Sequence, residues 1–192
     1  MVRIAIFASG RGSNAHNIIQ YFQDYDYVEI ELIVSNKKDA PVLNLGKQFD
    51  IQTVVINRKQ FYKTDSVLEK LEIAQIDYVV LAGFLWLVPS NLVKTYSNRI
   101  INIHPALLPK YGGKGMYGMN VHHAVKAANE TESGITIHYV NEHYDEGNII
   151  FQASCAITPN DTPSDIAHKV HELEYKHFPV VIHQLIDELA SE

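Results

Sequence analysis

Along the first hundred residues, short unbroken apolar runs alternate with segments whose apolar residues recur every three to four positions, the pattern of strands joined by crossover helices. Residues 2–8 form the first such run and predict a buried strand, and residues 13–22 predict the helix after it. The same logic predicts a strand at 28–34, a helix at 40–49 and a short strand at 53–56. Phe61, Val67, Leu68 and Leu71 keep a helical spacing and predict one helix over 60–71. A continuous apolar strand follows at 78–82, ended by Gly83. Pro89 is placed to open a helix that runs to about Tyr96. A fifth strand at 100–103 brings Asn102 and His104 to its carboxyl end, where open α/β sheets place their ligands.

The second half changes character. A glycine-rich stretch and a helix at 121–128 precede two strand-like segments, 134–140 and 149–156, joined by a loop too short for a helix. They are expected to pair antiparallel. A long terminal helix is expected from Thr162 onward, its apolar face running through Ile166, Val170, Leu173, Val180, Val181, Leu185 and Leu189, with Pro179 kinking or dividing it. No repeat, linker or low-complexity tract interrupts the chain. The expected fold is α/β: a single-domain Rossmann-like open sheet over residues 1–192, mostly parallel, with antiparallel strands added in the C-terminal half and helices on both faces.

Composition narrows the chemistry. The chain is 46% hydrophobic over 192 residues, enough for a full core without staples. A single cysteine, Cys155, and the absence of an apolar signal segment at Met1-Val2-Arg3 point to a reducing cytoplasm. No apolar run is long enough to span a bilayer. The net charge of -6 argues against a nucleic-acid partner and favours small-molecule substrates.

The loop Ser9-Gly10-Arg11-Gly12-Ser13-Asn14 lies between the first strand and the first helix. Glycines permit close backbone approach, and a helix N-terminus offers free N–H groups, so Gly10, Arg11, Gly12, Ser13 and Asn14 form a candidate phosphate site. The dinucleotide fingerprint is not completed, and the Gly-Lys-Ser/Thr ending of a P-loop is absent. The alternative is that the glycines only turn the chain and Ser13 caps the helix.

The run Asn102-Ile103-His104-Pro105-Ala106-Leu107-Leu108-Pro109 and the distant Asp145-Glu146-Gly147 supply an amide, an imidazole and a carboxylate. An amide N–H can stabilise an oxygen that becomes negative during attack. An imidazole can do so as its cation and can exchange a proton near neutral pH. Asp145 is expected to raise the His104 pKa and to accept the proton of an attacking amine. Spacing alone leaves open that these are ordinary turn residues.

The segments Leu81-Ala82-Gly83-Phe84, Asn102 to Tyr111, Gly134-Ile135-Thr136-Ile137-His138 and Asp145-Glu146-Gly147-Asn148-Ile149-Ile150 stand in the order found in the folate-dependent formyltransferase superfamily. The chain resembles that superfamily over essentially its whole length. The glycine loop and the total length favour its glycinamide ribonucleotide branch, which acts in purine synthesis. The resemblance implies that Asn102, His104 and Asp145 are catalytic, that Gly10 to Asn14 hold the ribonucleotide phosphate, and that Glu174 engages the ribonucleotide. It further implies a folate pocket at Leu85, Trp86, Leu87, Val88, Ile100 and Asn141, with 10-formyltetrahydrofolate as co-substrate, no metal, and a monomer or homodimer.

Three departures from the family pattern stand out. The stretch from Gly112 to Met119 is longer and richer in glycine than the usual Pro-Gly turn, and is expected to be mobile, with Lys114 available for an anion. Arg58, Lys59 and Lys63 compete for the arginine that often meets the folate glutamate tail. Trp86 stands where relatives are often basic. Ten histidines raise a metal hypothesis, but adjacent His122 and His123 cannot readily share an ion, and His168, His171 and His177 do not match His-Glu-x-x-His. His138 lies on a strand facing the proposed site. The competing functions are formylation of another amine, such as methionyl-tRNA or an amino-sugar nucleotide, formyltetrahydrofolate hydrolysis, and a non-catalytic nucleotide-binding module.

Overall fold

The computed structural model describes residues 1–190, with only the backbone of Leu189 and Ala190, so the place of Leu189 in the apolar stripe lies outside the described side chains. Seven strands form one sheet in the order β3-β2-β1-β4-β5-β6-β7. The chain divides into two compact units, residues 1–101 and 102–192.

In the first unit, β1 (Val2–Phe7), β2 (Val28–Ser35), β3 (Gln52–Val55) and β4 (Tyr78–Leu81) run parallel, with α1 (Ser13–Phe22) and α2 (Leu43–Phe49) as crossovers. Ile4, Ile6, Phe7, Ile33 and Val80 are fully buried, which explains why β1, the end of β2 and β4 read as apolar runs rather than as alternating patterns, while the edge strand β3 is mostly exposed. The helix expected over 60–71 is two helices, α3 (Arg58–Tyr62) and α4 (Ser66–Ile73). The division has a local cause. Asn57 Oδ1 accepts from the Gln60 N–H at 3.0 Å while Gln60 Oε1 accepts from the Asn57 N–H at 2.9 Å, a capping box that starts α3 early. Thr64 then donates its hydroxyl to the Gln60 carbonyl at 3.1 Å, turning the chain before α4. After α4 come β4 and α5 (Ser90–Thr95), which begins directly after Pro89.

The strand β5 (Ile100–His104) leads into the second unit, which holds α6 (Met119–Ala127), β6 (Glu132–Tyr139), β7 (Ile149–Ala156) and α7 (Pro163–Ala190). β6 and β7 pair antiparallel from Glu132 opposite Ala156 to His138 opposite Ile149, with an irregularity at Ile137/His138. α7 packs on β6, β7 and α6.

Pro179 does not divide the terminal helix; it lies inside one continuous helix. An interior proline costs roughly 3 kcal/mol through its lost N–H and the clash with the preceding turn. Phe178, Val181 and Ile182 beside it are all buried, at about 1.5–3 kcal/mol each, so packing outweighs the break.

Candidate active site

In the second unit four polar side chains from three segments meet. Asn102 on β5 lies 3.0 Å through Nδ2 from Nε2 of His138 on β6, and Nδ1 of His138 lies 2.8 Å from the Tyr139 carbonyl. A carbonyl only accepts, so His138 donates from Nδ1 and receives the Asn102 amide N–H at Nε2. That fixes both the His138 tautomer and the Asn102 amide, leaving the second Nδ2 hydrogen of Asn102 for a further acceptor. His104, 3% exposed at the end of β5, donates from Nε2 to the Tyr111 carbonyl at 2.8 Å. Its Nδ1 lies 3.5 Å from Asp145 Oδ2, and Asp145 Oδ1 lies 3.7 Å from His138 Nε2.

The charge states follow from burial. Burial pushes the His104 pKa below its ordinary value, and neither Asp145 nor the Tyr111 carbonyl offsets this. Asp145 does act to raise His104, as expected, but desolvation of the imidazolium wins over a carboxylate at 3.5 Å and the net direction is downward. Burial works on Asp145 in the upward direction, but in the acid range where it would take up a proton the His138 and His104 rings in their charged forms, with the Gly113 N–H, outweigh it and hold the carboxyl below the usual range. At neutral pH the pair is a neutral imidazole, its bare Nδ1 facing an ionised carboxylate. One proton entering this gap is shared at once, which suits a proton acceptor.

The loop that carries Asp145 is built for close approach. Asp145 sits in the left-handed region at φ 58°, which aspartate tolerates better than most residues, and its Oδ2 accepts from the Gly113 N–H at 2.9 Å. A side chain at Gly147 would run into the Tyr139 carbonyl, the group that receives the His138 proton. Asn141 Oδ1 accepts from the His143 N–H at 2.9 Å and turns the start of this loop. The glycine-rich segment after Tyr111 is therefore tied to the site through Gly113.

His122 on α6 is buried at 1% exposure, and its Nδ1 has no hydrogen-bond partner among the described residues. Burial, with His171, His104 and His123 nearby, pushes it down to about 4. The unfolded chain therefore takes up this proton near pH 6.5 while the folded chain resists until about 4, so stability is lost as pH falls through that window. The loss is on the order of 3 kcal/mol. Denaturant titrations from pH 7 to 4 should show it, and His122→Asn should flatten the slope; an unchanged slope would refute the assignment. Among the described residues no group of three or more His, Cys, Asp or Glu side chains is arranged to hold a metal ion.

The other expected residue of this unit is Glu174 on α7. It is buried, and His171 Nε2 lies 3.9 Å from one of its oxygens.

In the first unit the loop 9–14 behaves differently from either simple expectation. Ser13 does not cap α1: the N-cap is Gly12, with φ 79° and no side-chain cap, and no acidic residue lies in the first turn. The N-terminus of α1 is thus left uncapped and open to an anion. Gly12 is nonetheless needed for packing, because a Cβ there would lie 2.5 Å from Val42 Cγ2, whereas a Cβ at Gly10 would meet nothing within 4 Å. Gly10 and Arg11 border an open cleft of about 570 Å³ with Lys37, Lys38 and Asp39.

The segment at Leu85, Trp86, Leu87 and Val88 follows β4. Leu85 donates its N–H to Ser9 Oγ at 3.0 Å, and the Leu87 carbonyl accepts from the Tyr62 hydroxyl at 3.0 Å, so part of its backbone is already engaged. Trp86 belongs to an aromatic cluster with Phe61, Tyr62 and Phe84, and the Arg58 guanidinium lies 5.0 Å over its ring. Arg58, which sequence could not separate from Lys59 and Lys63, is thereby the cation held against this segment. Ile100, at the start of β5, is buried at 1% exposure.

Residues 2–182 match the formyl transferase family model. The chain is 38% identical to a chloroplastic phosphoribosylglycinamide formyltransferase of Arabidopsis thaliana, over 97% of this chain and 66% of that protein. A Vigna unguiculata relative of the same name is spanned to 61%, so the chain covers just under two thirds of these plant proteins. It is 34% identical to phosphoribosylglycinamide formyltransferase of Bacillus subtilis, covering 97% of this chain and 95% of the relative. Among solved structures, the enzyme of that name from Bacillus halodurans superposes with a TM-score of 0.85 at 35% identity, covering 96% of this chain and 95% of that one. The Coxiella burnetii enzyme gives 0.83 at 39%, covering 94% and 84%.

Proposed function

Because the chain belongs to the formyl transferase family, we propose that it moves the formyl group of 10-formyltetrahydrofolate to the primary amine of phosphoribosylglycinamide, releasing tetrahydrofolate. The observation that carries this reading is the junction of Asn102, His138, His104 and Asp145, in which an orientated amide donor stands with a neutral imidazole and an ionised carboxylate. The two units act together as one formyltransferase domain, a reading supported by a family match that runs across their boundary.

The chemistry follows from the groups present. The amine attacks the formyl carbon, a C–N bond forms, and the formyl oxygen takes the electron pair of its π bond. The Asn102 N–H that His138 leaves free stabilises that oxygen. The attacking nitrogen becomes cationic, and its proton passes to the His104 Nδ1 and Asp145 pair. Collapse then breaks the bond to the folate N10, which receives a proton from the same pair. The uncapped turn at Gly10 to Asn14 would hold the substrate phosphate, Glu174 the ribonucleotide, and the segment from Leu85 to Val88 with Asn141 the folate. Arg58, held over Trp86, would meet the negative folate tail.

A pH profile checks the charge states. With His104 lowered from 6.5, its neutral form persists into mild acid, so the acid limb of kcat/KM should lie below pH 6.5. A limb well above 6.5 would mean that the imidazolium is the resting form.

The direct test supplies both substrates and follows tetrahydrofolate. Release should depend on the ribonucleotide; folate turnover without it would indicate a hydrolase, and no turnover would refute the proposal. Cytoplasm is the proposed compartment, from the lone cysteine; no helix among the described residues is long and apolar enough to cross a membrane. A monomer or homodimer is proposed.

A further inference from the structure

Behind the turn that follows β5 lies a cavity of about 250 Å³ that none of the proposed substrate contacts uses. Its apolar wall is Ala106, Leu107, Leu108 and Val125. Its polar wall carries two carboxylates, Glu130 and Glu132, against one ammonium, Lys110. Lys110 is already committed, its Nζ 2.8 Å from Glu130 Oε1, and the Tyr111 hydroxyl donates to that same oxygen at 2.8 Å. The Glu132 carboxylate acts on the same Lys110 only at longer range, favouring its charged form. Ser133, buried on the same wall, has a hydroxyl with no hydrogen-bond partner among the described residues. The cavity thus offers an apolar pocket, uncompensated negative charge and unused acceptors.

We infer that this cavity binds a compact organic ammonium ion, with its hydrocarbon body on Leu107, Leu108 and Val125 and its cationic nitrogen between Glu130 and Glu132, and that occupancy is felt at His104. Tyr111 links the two places. Its ring hydroxyl is anchored on Glu130, and its own carbonyl is the 2.8 Å partner of His104 Nε2. Tyr111 also sits in the left-handed region at φ 58°, a conformation that costs a bulky residue roughly 1–2 kcal/mol and persists because neighbouring bonds hold it. An ammonium drawn to Glu130 competes for the carboxylate that anchors the ring. The turn then relaxes, His104 loses its partner, and turnover falls. An anion would meet two carboxylates and be excluded.

The kinetic part of this inference rests on the proposed role of His104; the binding part does not. The test uses the full chain labelled with nitrogen-15 and three probes of one shape: benzylammonium, benzyl alcohol and benzoate. Benzylammonium should give saturable, millimolar shifts at Leu108, Lys110 and Tyr111 and move the His104 ring signals. The alcohol should bind about threefold more weakly, benzoate not measurably, and Glu132→Gln should weaken the ammonium about threefold while leaving basal turnover unchanged. In the formyl-transfer assay the ammonium should lower kcat with both KM values unaltered. Absence of saturable binding, equal binding of benzoate, or saturation without movement of His104 would overturn the inference. Binding with a shifted His104 in a protein that transfers no formyl group would support the site and defeat the proposed function instead.

Discussion

Asp145→Asn should lower kcat by about a hundred- to ten-thousandfold while leaving ribonucleotide affinity within about twofold. Asparagine tolerates the left-handed backbone at φ 58° and keeps an oxygen for the Gly113 N–H, so the loop is preserved. What disappears is the charge that takes up the amine proton. The same change removes the one carboxylate that favours the His104 cation, so the acid limb of the remaining activity should move further toward low pH. Calorimetric titration of the ribonucleotide beside steady-state kinetics separates the two effects. Equal losses in binding and turnover would mean that Asp145 only supports the loop.

Gly12→Val should destabilise the protein by about 2–5 kcal/mol, the sum of a left-handed backbone forced on a β-branched residue and overpacking against Val42. For a chain of this size that corresponds to a melting temperature lower by roughly 5–15 °C. Close approach to a phosphate, the role expected of this loop from sequence, and close approach to Val42 at the start of a neighbouring helix both call for glycine. Gly10→Ala separates them. Its new methyl meets nothing in the protein within 4 Å, so the fold should be unaffected, while a phosphate lying against this backbone should be displaced and the ribonucleotide KM should rise about tenfold or more. A normal KM in Gly10→Ala would count against a phosphate at this loop, and an unaltered melting temperature in Gly12→Val would count against the packing account.

Much of the fold is legible because its signals are local. The helix at 13–22 and the strand at 149–156 have the bounds that periodicity predicts, since both lie between clear turn residues. The division of 60–71 was readable in principle, from Asn57 and Gln60 at capping-box spacing, but the apolar rhythm runs on across the break and hides it. Pro179 misleads for the opposite reason: its local penalty is plain, while the burial of Phe178, Val181 and Ile182 that outweighs it is a tertiary fact.

The candidate site divides in the same way. The residue types at Asn102, His104 and Asp145 suggest acid-base chemistry at a carbonyl, and the structure brings them together. Two features were out of reach. One is the bond from Asn102 to His138, 36 residues away, which depends on strand neighbours rather than on spacing. The other is the charge of His104, because a sequence names the carboxylate beside it but not the burial that outweighs that carboxylate.

The fate of a carbon-13 formyl label tests the central claim most directly. Protein given labelled 10-formyltetrahydrofolate and the ribonucleotide should place the label on the glycinamide nitrogen, one equivalent for each tetrahydrofolate released, with Asn102→Ala slowing that transfer about a hundred- to thousandfold. Label recovered as free formate, or transfer that proceeds undiminished in Asn102→Ala, would contradict it.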